Sequence, residues 1–559
     1  MSKSGTENFL NETRLEKGPW GAFERDFGRL LFHKNFNDVR LVGGKGDQGA
    51  DVLGVIDDQL WVFQCKHTTS SIAPAKAVQE VVLAGRAYGA DQLGVVISKP
   101  PGKTFVREVE KYNEMGLEIN VFGPKKISSL MEGANDFSIK RKSLRDEYQV
   151  DVAESFYDNL VTNGKGQIVL ATGLGKTVVM AEVVSWLFDQ EKLPNGKVLV
   201  LAHVKEIVRQ LTLGFWDQLP KWVSTHILMG GEFPSYWEGV TFSTIQSAKS
   251  HLNKLPEFDL VLIDEAHHVG ANTFQKVINS LQPSMIGGVT ATPWRGDGFD
   301  IDEILGPPVA QMGISEGLAH GFLCDVDYRL IADNINWDFV RDHSKYKYSI
   351  KHLNKKLLIP ERDDKAARMI ATTFDEENRN SAILFSPSID HATNMAAWLK
   401  RYGYTVEVIT SDQNNREQDI LMSNFRAGKF QIAVTVDMFN EGVDIPDVDM
   451  VVFMRATHSR RIFVQQLGRG LRISKGKDKV IVLDFVSDLK RMAMVLNLDK
   501  SVKSNQVERI GLGERLIEFE DKSAGSFLKE WLLDQSDLFS REKDPKLELP
   551  EFDYPPELV

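Results

Sequence analysis

The chain has very little cysteine and no long apolar run. Only Cys65 and Cys324 occur among 559 residues, far apart and without partners at metal-ligand spacing. This excludes a multi-cysteine zinc site and a disulfide framework, and it favours a reducing intracellular compartment. Residues 1–20 lack the apolar core of a signal peptide, and no apolar run approaches membrane-spanning length. We therefore expect a soluble, cytoplasmic protein without a membrane partner.

The chain also lacks an excess of positive charge. It has 67 lysine and arginine residues against 78 aspartate and glutamate residues, a net charge of −11. This argues against a protein that coats nucleic acid nonspecifically. It does not exclude nucleic-acid binding, because counterion release depends on the cations near the phosphates and not on the total. The composition, 42% apolar and 26% charged, is that of a soluble globular protein, and the length predicts roughly three to four domains.

The front of the chain has the pattern of a small α/β domain. Two strands are expected on either side of a tight turn at Asp57–Asp58, because apolar β-branched and aromatic runs flank it. The prolines at 100 and 101 would end the last strand. The predicted elements are helices at 20–32 and 75–88, and strands at 50–56, 59–66 and 92–98.

After residue 143, short runs rich in valine, isoleucine and leucine alternate with longer helical segments. That rhythm is typical of a parallel sheet covered by helices. It recurs after residue 364, which favours two successive α/β domains over one large sheet. The expected strands are GQIVLATG, KVLVLAH, GVTFSTI, FDLVLIDEA and MIGGVTATP in the first domain, and SAILFSPS, YTVEVITSD, FQIAVTVDM, DMVVFMRA and DKVIVLDFV in the second.

The segment LATGLGKT, at 170–177, follows an apolar strand and precedes a helix, as a phosphate-binding loop requires. The glycines would let backbone N–H groups close around phosphates at the start of the helix. Lys176 would reach the β and γ phosphates, and the Thr177 hydroxyl would coordinate Mg²⁺. Leu170 replaces the first glycine of the usual pattern, and by itself the loop could be a tight structural turn. The predicted ATP-binding residues here are Thr172, Gly173, Leu174, Gly175, Lys176 and Thr177.

The segment FDLVLIDEAHH places two acids at the end of an apolar strand. There Asp264 can hold the same Mg²⁺, and Glu265 can orient and deprotonate the attacking water. ATP and Mg²⁺ are therefore the expected cofactors. His267 and His268 do not have metal-ligand spacing, and capping the start of a helix is the simple structural explanation for either.

The ordered motifs LRDEYQ, ATGLGKT, DEAH, TATP, VDMFNEGVDIP and QQLGRGLR resemble those of superfamily two helicases. The resemblance is closest to the branch of restriction-enzyme motor subunits and related repair helicases, and it covers about residues 144–485. It implies two RecA-like domains with ATP bound between them and nucleic acid across their top. Gln466 stands where many helicases have arginine, a departure that the GRGLR pattern of this branch tolerates.

The resemblance also implies roles position by position. Arg145 and Gln149 match the segment that reads adenine, and His267 would link the ATP site to TATP. Thr290 and Thr292 of TATP would couple hydrolysis to domain movement. In the second domain the implied residues are Gly442 and Asp444 near the ribose and the coupling surface, Gln465 as the γ-phosphate sensor, and Arg469 and Arg472 as arginine fingers that act only when the domains meet.

Small polar residues at strand ends would form the track for nucleic acid. Hydroxyl and amide groups can bind phosphate oxygens without reading bases, although each residue taken singly could equally be a helix cap or a turn residue. A basic-aromatic piece at 345–356 could contact a duplex or could be a solvated helix face. The track residues are His203, Lys205, Thr244, Gln246, Ser386 and Thr435.

The front domain carries GGKGDQGADVLG followed by VFQCKH. Residues two apart on a strand share a face, so Gln64 and Lys66 point the same way, and a hairpin brings Asp51 alongside. A carboxylate and a lysine on paired strands can bind Mg²⁺ and position a water for phosphodiester attack. Over about 18–123 these residues resemble the Mrr-like branch of the PD-(D/E)xK nucleases in its D…QxK form. The resemblance implies an active site of Asp51, Gln64 and Lys66, with Glu24 as a helper, although Gln64 replaces an acid of the general pattern.

The expected function is an ATP-dependent DNA translocase coupled to a Mg²⁺-dependent endonuclease, with restriction of foreign DNA such as phage genomes implied by resemblance. Two alternatives remain: a repair or remodelling helicase whose front domain only binds DNA, and an RNA helicase. The expected partners are duplex or single-stranded DNA and further protein subunits. The sequence leaves open the polarity of movement, strand separation, the recognition sequence and the oligomeric state.

The expected fold class is α/β, with an N-terminal restriction-endonuclease-like domain, two RecA-like parallel-sheet domains and a short C-terminal extension. The acidic, proline-rich end is expected to be disordered or to become ordered on contact. The predicted segments are a nuclease domain at 1–123, a linker at 124–142, a first RecA-like domain at 143–312, a connector at 313–363, a second RecA-like domain at 364–490, and the extension with its tail at 491–559.

Overall fold

In the computed structural model the chain divides into two compact units. Unit 1 comprises residues 1–170 and 175–311, and unit 2 comprises 171–174 and 312–559. No helix among the described residues is both long and apolar enough to cross a bilayer. The structure describes residues 8–11, 15, 20–42, 49–68, 72–291, 301–331, 334–335, 347–349, 353, 358–359, 363–413, 415–436, 448–454, 477, 479–485, 517–518 and 546–548.

The front of unit 1 is a five-stranded sheet in sequential order. Its first three strands are antiparallel and its last three are parallel. Asp57 and Asp58 have φ angles of 51° and 59°, the left-handed geometry of a two-residue hairpin turn, which confirms the predicted turn. The elements are β1 (Asn37–Leu41), β2 (Val52–Ile56), β3 (Gln59–Lys66), β4 (Gln92–Ile97) and β5 (Ile119–Phe122), with helices α1 (Trp20–His33), α2 (Lys76–Tyr88), α3 (Lys103–Glu114) and α4 (Pro124–Glu132).

Helix α4 corrects the predicted linker at 124–142. It starts with proline at its first position, and Ile127 and Met131, four residues apart, are buried in the core of the front domain. With Leu130 partly buried against the same core, this nine-residue helix has only three such apolar residues, and a segment this short does not show a helical period in the sequence. The first half of the predicted linker therefore belongs to the front domain.

The rest of unit 1 is a seven-stranded sheet in the order β12-β6-β11-β10-β7-β9-β8. From β6 across to β8, all neighbouring strands are parallel. The five strands predicted for this region are confirmed, while the short strands β8 and β12 at the two edges were not predicted. The strands are β6 (Lys165–Leu170), β7 (Lys197–Ala202), β8 (Thr225–Leu228), β9 (Gly239–Thr244), β10 (Leu260–Asp264), β11 (Met285–Thr290) and β12 (Pro308–Met312).

Helices connect and cover these strands. The strands read as apolar runs because they are buried on both faces, as in β10, where Leu260 to Ile263 are fully buried. The helices are α5 (Gln149–Asn163), α6 (Lys176–Asp189), α7 (Lys205–Gln218), α8 (Ile245–Ser250), α9 (Asn272–Leu281) and α10 (Asp302–Leu305).

The two sheets of unit 1 are joined through a shared core. Trp216, at the end of α7, is fully buried among apolar residues of the front domain, and its ring makes an edge-on contact with Phe32 at 5.5 Å. Arg29 of α1 is also fully buried. Its guanidinium donates to the carbonyls of Val223, Pro220 and Leu219 at 2.5, 2.9 and 3.3 Å. The front domain is therefore packed tightly on the layer formed by the seven-stranded sheet of unit 1 (β6–β12) and its helices, which we call the motor sheet.

A second contact between the same regions is ionic. Arg25, one turn before Arg29 on α1, is 2.5 Å from each carboxylate oxygen of Glu232. The absence of a side chain at Gly21 makes space for this carboxylate, because a Cβ at position 21 would lie 2.7 Å from Glu232 Oε2. Helix α1 thus carries two arginines that hold the motor sheet.

Unit 2 contains a second seven-stranded sheet in the order β18-β19-β17-β20-β21-β13-β22, with every neighbouring pair parallel. The five predicted strands are confirmed. The elements are β13 (Asp325–Ile331), β17 (Ala382–Phe385), β18 (Val406–Thr410), β19 (Ile432–Val436), β20 (Met450–Phe453), β21 (Lys479–Asp484) and β22 (Ile517–Glu518), with helices α11 (Ile314–Ala319), α12 (Asp363–Glu376), α13 (Ile389–Arg401) and α14 (Asn415–Arg426).

Strand β13 corrects the predicted connector at 313–363, because it lies inside the second sheet beside β21. Its sequence DVDYRLI alternates polar and apolar residues. Arg329 pairs with Asp327 and Glu377, and the Tyr328 hydroxyl donates to the Asp484 carboxylate. A search for continuous apolar runs misses such a strand.

Two small antiparallel pairs complete unit 2. β14 (Asn334–Ile335) pairs with β16 (Leu358–Ile359), and β15 (Lys347–Ser349) pairs with β23 (Lys546–Glu548). The second pair joins the basic-aromatic piece to the acidic end of the chain. Within that piece residues 347–349 form a strand, and Leu353 is helical and buried.

Candidate active sites

The carboxyl edge of the seven-stranded sheet in unit 1 gathers the predicted ATP-site residues. Asp264 is the last residue of β10 and Thr290 the last of β11, and the register places Asp264 beside Val289. Strand β6 ends at Leu170, and Lys176 begins α6 shortly afterwards. Because parallel strands end at the same edge, these side chains converge there, as ligand sites do in open α/β sheets.

The loop between β6 and α6 has the backbone of a phosphate cradle. Gly173 and Gly175 have φ angles of 94° and 86°, which other residues adopt only with strain. A Cβ at Gly175 would also collide with the amide nitrogen of Gln149. Gln149 is buried, and its Oε1 accepts from the Arg145 backbone N–H at 2.9 Å. The segment implied to read adenine therefore lies against the start of helix α6.

Lys176 and the acid pair form a charged cluster. The Lys176 ammonium donates to the Leu170 carbonyl at 3.2 Å. Burial and the neighbouring Glu265 carboxylate raise the pKa of Asp264, and the charge of Lys176 opposes that rise. For Glu265, burial also acts upward, but the hydrogen bond from His267 and the Lys176 charge outweigh it and lower the pKa. The pair therefore favours binding of additional positive charge.

Glu265 and His267 have unusual local geometry. Glu265 has a φ of 52°, a strained conformation for a residue with a side chain and one that concentrates at functional sites. His267 Nδ1 lies 3.2 Å from Glu265 Oε2 and 3.0 Å from Thr290 Oγ1. His267 is thus in contact with both the acid and the threonine of TATP, as the resemblance implies.

Two contacts at this edge were not expected from the sequence. The His203 ring lies 4.5 Å from the His268 ring, and its charge acts on both acids, so His203 sits beside the ATP-site residues. Gly214 of α7 packs against Thr177, because a Cβ at Gly214 would lie 2.6 Å from Thr177 Cγ2. No local motif signals either contact, since both join segments that are far apart in the sequence.

The donor set at this edge suits Mg²⁺. The Thr177 hydroxyl and the Asp264 carboxylate are oxygen ligands, which Mg²⁺ prefers, and phosphates and water supply the remainder when ATP is bound. The acid pair provides the negative charge that such an ion offsets. Thr292, Gly442, Asp444, Gln465, Arg469 and Arg472 lie outside the described residues.

The predicted track residues fall into two groups. Lys205, at the start of α7, and Gln246, on α8, are exposed. Thr244 caps α8, where its hydroxyl accepts from the Ser247 N–H at 3.2 Å. Thr435 on β19 and Ser386, directly after β17, are fully buried in unit 2, and the Ser386 N–H donates to the Thr435 carbonyl at 2.8 Å. Lys205 and Gln246 are thus open to a ligand in unit 1, whereas Thr244 in unit 1 and both residues in unit 2 are buried.

The predicted nuclease residues meet where β2 begins and β3 ends. Asp51 is buried, and its Oδ2 accepts from the Gln64 side-chain amide at 2.5 Å and from the Cys65 N–H at 2.6 Å. Gln64 Oε1 is buried without a hydrogen-bond partner among the described residues. A carboxylate and an amide oxygen are donors that Mg²⁺ accepts. Asp51 and Gln64 are therefore the residues that would hold the ion.

Glu24 and Lys66 belong to the same electrostatic neighbourhood. Burial raises the pKa of the Cys65 thiol, the charges of Asp51 and Glu24 raise it further, and Lys66 opposes them. Glu24 is buried on α1, the helix that also carries Arg25 and Arg29. The structure thus brings all four predicted nuclease residues around Cys65.

One residue of this neighbourhood was missed by sequence reasoning. Glu80 of α2 has its Oε2 2.9 Å from Lys66 Nζ and its Oε1 3.0 Å from Lys76 Nζ. In the sequence, the only signal for Glu80 is its position on the face of α2 that packs against β3. Many helical residues have such a position, so this signal is not distinctive.

Family comparisons cover the same three regions of the chain. Residues 15–121 match the family model "Restriction endonuclease". Residues 142–295 match "Type III restriction enzyme, res subunit", and residues 364–474 match "Helicase conserved C-terminal domain". The first match contains the Asp51 site, and the second contains the Lys176 and Asp264 site.

Individual relatives are similar over part of the chain. The "Putative ATP-dependent helicase IRC3" of Saccharomyces cerevisiae is 26% identical over 61% of this chain and 51% of its own length. The "Type I restriction enzyme EcoAI endonuclease subunit" of Escherichia coli is 26% identical over 58% of this chain and 44% of its own. The chain thus spans about half the length of these curated relatives.

A solved structure extends the likeness in fold. The "ATP-dependent Type ISP restriction-modification enzyme LlaBIII bound to DNA" aligns with 92% of this chain and 41% of that chain, at 17% identity and a TM-score of 0.52. With the matched regions in this order, the chain joins an Mrr-like restriction endonuclease domain to the two domains of a DEAH-type superfamily two helicase.

Proposed function

We propose that this protein is an ATP-driven DNA translocase that cuts DNA in a Mg²⁺-dependent reaction, and that it restricts foreign DNA such as phage genomes. The observation that carries the proposal is the packing of the nuclease domain on the first motor sheet, with the Lys176–Asp264 cluster and the Asp51–Lys66 cluster in one compact unit. A motor that moves along DNA and a nuclease fixed to it would act on the same molecule.

The chemistry of the motor site follows from its residues. Lys176 and the N–H groups at the start of α6 would bind the phosphates. Thr177 and Asp264 would hold Mg²⁺, which screens phosphate charge when bound. Glu265, kept ionised by His267, would take a proton from the attacking water. The resemblance assigns further proposed roles in ATP hydrolysis and coupling to Thr292, Gly442, Asp444, Gln465, Arg469 and Arg472.

The chemistry of the nuclease site needs fewer groups. Asp51, with Gln64, would hold Mg²⁺, which polarises the scissile phosphate when bound. Lys66 would orient the attacking water or offset charge that develops on the phosphate. Glu24 would assist from α1. Lys205 and Gln246, which are exposed, would contact the DNA backbone.

The test is one reaction series with purified protein, Mg²⁺ and ATP. Linear and circular duplexes, modified and unmodified, are compared with single-stranded DNA and RNA for ATPase stimulation and for cleavage. We expect duplex DNA to stimulate ATP hydrolysis and to be cleaved. Lys66→Ala should abolish cleavage and leave ATP hydrolysis unchanged. Equal products from wild type and Lys66→Ala on every substrate would refute the nuclease half. Stimulation by RNA but not DNA would favour an RNA helicase instead.

A second function has one specific observation in its favour. Gln64 donates to Asp51 where the general nuclease pattern has a second acid, so the front domain could bind DNA without cutting it. The protein would then be a repair or remodelling translocase. Its displacement of DNA-bound proteins would be lost in Lys176→Ala and unchanged in Asp51→Ala.

The wider setting is also part of the proposal. A cytoplasmic location fits the scarcity of cysteine, and further subunits could supply sequence recognition, as the Escherichia coli relative is itself named a subunit. Size-exclusion chromatography with light scattering, with and without DNA, would measure the oligomeric state.

A further inference from the structure

Glu80 lies at the nuclease site although no motif identifies it. It is on α2, and its side chain is 20% exposed. One carboxylate oxygen faces Lys66, whose side chain is 24% exposed, and the other faces Lys76, which is 78% exposed. The ion pair with Lys66 is therefore the shielded one, and Lys76 is a surface partner.

The chain that leads to Asp51 passes between Glu80 and Gln64. Gly49 has a φ of 93°, and a Cβ there would lie 2.5 Å from the Glu80 Cβ and 2.9 Å from Gln64 Oε1. Glycine is therefore required at this point for both conformational and steric reasons. Three elements meet at this glycine: the approach to β2, strand β3 and helix α2. Their meeting fixes Glu80 relative to Asp51 and Lys66.

The charges at the nuclease site also indicate a role for Glu80. Burial alone would raise the pKa of Glu80, but hydrogen bonds from Lys66 and Lys76 outweigh it and lower the pKa. Glu80 is thus a carboxylate beside a lysine in a site whose second acid is replaced by Gln64. The side chain of Lys66 is a flexible four-carbon stem. The ion pair with Glu80 therefore restricts the position of the Lys66 ammonium.

We propose that Glu80 is a positioning residue of the nuclease: it holds the Lys66 ammonium in place and supplies from α2 the negative charge that position 64 lacks. The inference rests on the proposed nuclease function. Glu80 acts through Lys66 and does not touch the reacting phosphate. Partly exposed ion pairs contribute little to folding stability, so its loss changes cleavage and not the fold.

The experiment compares wild type with Glu80→Gln, Glu80→Asp and Lys76→Met, and uses single-turnover cleavage of a duplex that the wild type cuts. DNA affinity is measured with Ca²⁺ in place of Mg²⁺, and ATPase activity is followed in the same preparations as a measure of correct folding. Lys76→Met is the matched control, because it removes the other cation on Glu80 and leaves Lys66 paired.

We expect Glu80→Gln to lower the cleavage rate constant by roughly 10- to 100-fold, as loss of a supporting partner does at other sites. DNA affinity and ATPase activity should stay within about twofold. Glu80→Asp should recover much of the rate, since it keeps a carboxylate one methylene shorter, and Lys76→Met should match wild type.

Three outcomes would overturn the inference while leaving the nuclease in place. They are a wild-type rate in Glu80→Gln, a parallel loss of DNA binding and ATPase activity in that variant, and an equal loss in Lys76→Met. Absence of cleavage by the wild type itself would instead overturn the proposed function and this inference together.

Discussion

The motor site and the nuclease site of unit 1 both combine a lysine with carboxylates, but they are assembled differently. In the motor site the two acids, Asp264 and Glu265, are consecutive residues at one strand end, and the lysine follows a glycine loop. In the nuclease site the acids come from separate elements: Asp51 precedes β2, Glu24 lies on α1 and Glu80 on α2. A site built from contiguous segments has a motif, whereas a site built by packing does not.

The two sites also differ in how their charge is balanced. In the motor site, burial and the Glu265 charge raise the pKa of Asp264 against the charge of Lys176, while the His267 hydrogen bond and Lys176 lower the pKa of Glu265. In the nuclease site Asp51 already accepts two hydrogen bonds from neutral groups, and Glu80 pairs with the lysine. We infer that the motor site depends more strongly on added cations than the nuclease site does.

The largest expected effect is the loss of ATP hydrolysis when the motor site alone is disrupted. Lys176→Ala removes the cation at the phosphates and should lower DNA-stimulated ATP hydrolysis by roughly 10²–10³-fold, the effect of losing one preorganised charge stabiliser. Steady-state phosphate release measures it. Lys192→Ala, beyond the end of α6, is the matched control. ATPase activity retained in Lys176→Ala would contradict the assignment of this cluster as the ATP site.

Breaking the nuclease site should have a comparable effect on a different reaction. Asp51→Asn keeps the shape but weakens metal binding, so cleavage should fall by roughly 100-fold or more, several kcal/mol of lost charge stabilisation. ATP hydrolysis should be unchanged, because the motor acids lie on the other sheet. The readout is nicking and linearisation of circular duplex. A simultaneous loss of ATPase activity would show that the two sites are not separable.

A smaller effect is expected at the link inside the motor site. His267→Ala removes the contact with Glu265 and with Thr290, and we expect ATP hydrolysis to fall roughly 10- to 100-fold, as for a buried hydrogen bond to a charged group. His268→Ala, which leaves the contacts of His267 with Glu265 and Thr290 in place, is the comparison. If the two variants behaved alike, the specific role of His267 would be wrong.

The contrast between the sites also explains how far the sequence could predict the protein. Strands such as β10, apolar throughout and buried on both faces, were predicted, and β13 was not because its polar residues pair with neighbours. The Lys176 and Asp264 motifs were found in order along the chain. Glu80 and the Gly214–Thr177 contact were missed, since both arise from helix packing. Arg29 was missed because a charged residue on an amphipathic helix is usually solvated.

Arg29 tests whether the two sites are held in one unit. Arg29→Met keeps the volume but leaves three buried carbonyls without their donor, which should destabilise unit 1 by about 3 kcal/mol. Faster hydrogen exchange in α1 and in 219–223 would report the opening. Arg86→Met, an exposed arginine of the front domain, should change nothing. Equal protection in both variants would mean that the ionic contact of Arg25 and the apolar core suffice.

The same interface predicts a dependence on pH. Burial, and then the charge of Arg29, lower the pKa of His33 from 6.5 to about 3, with Lys221 acting in the same direction and the Asn135 carbonyl and Asp136 against it. Because the unfolded chain binds a proton below about pH 6.5 and the folded chain does not until about pH 3, stability falls as the pH drops through that window. At pH 5 the loss from this group should be on the order of 2 kcal/mol.

His33→Asn removes the titrating group while its amide can still donate to the Asn135 carbonyl, so the variant should lose part of the acid sensitivity of wild type. Hydrogen exchange of α1 at pH 7 and pH 5, corrected for the intrinsic exchange rates, measures the difference between the two proteins. Parallel changes in both would show that His33 does not set the response. A flatter profile in the variant would mean that protonation of His33 accounts for that part of the acid sensitivity, since no other residue has been changed.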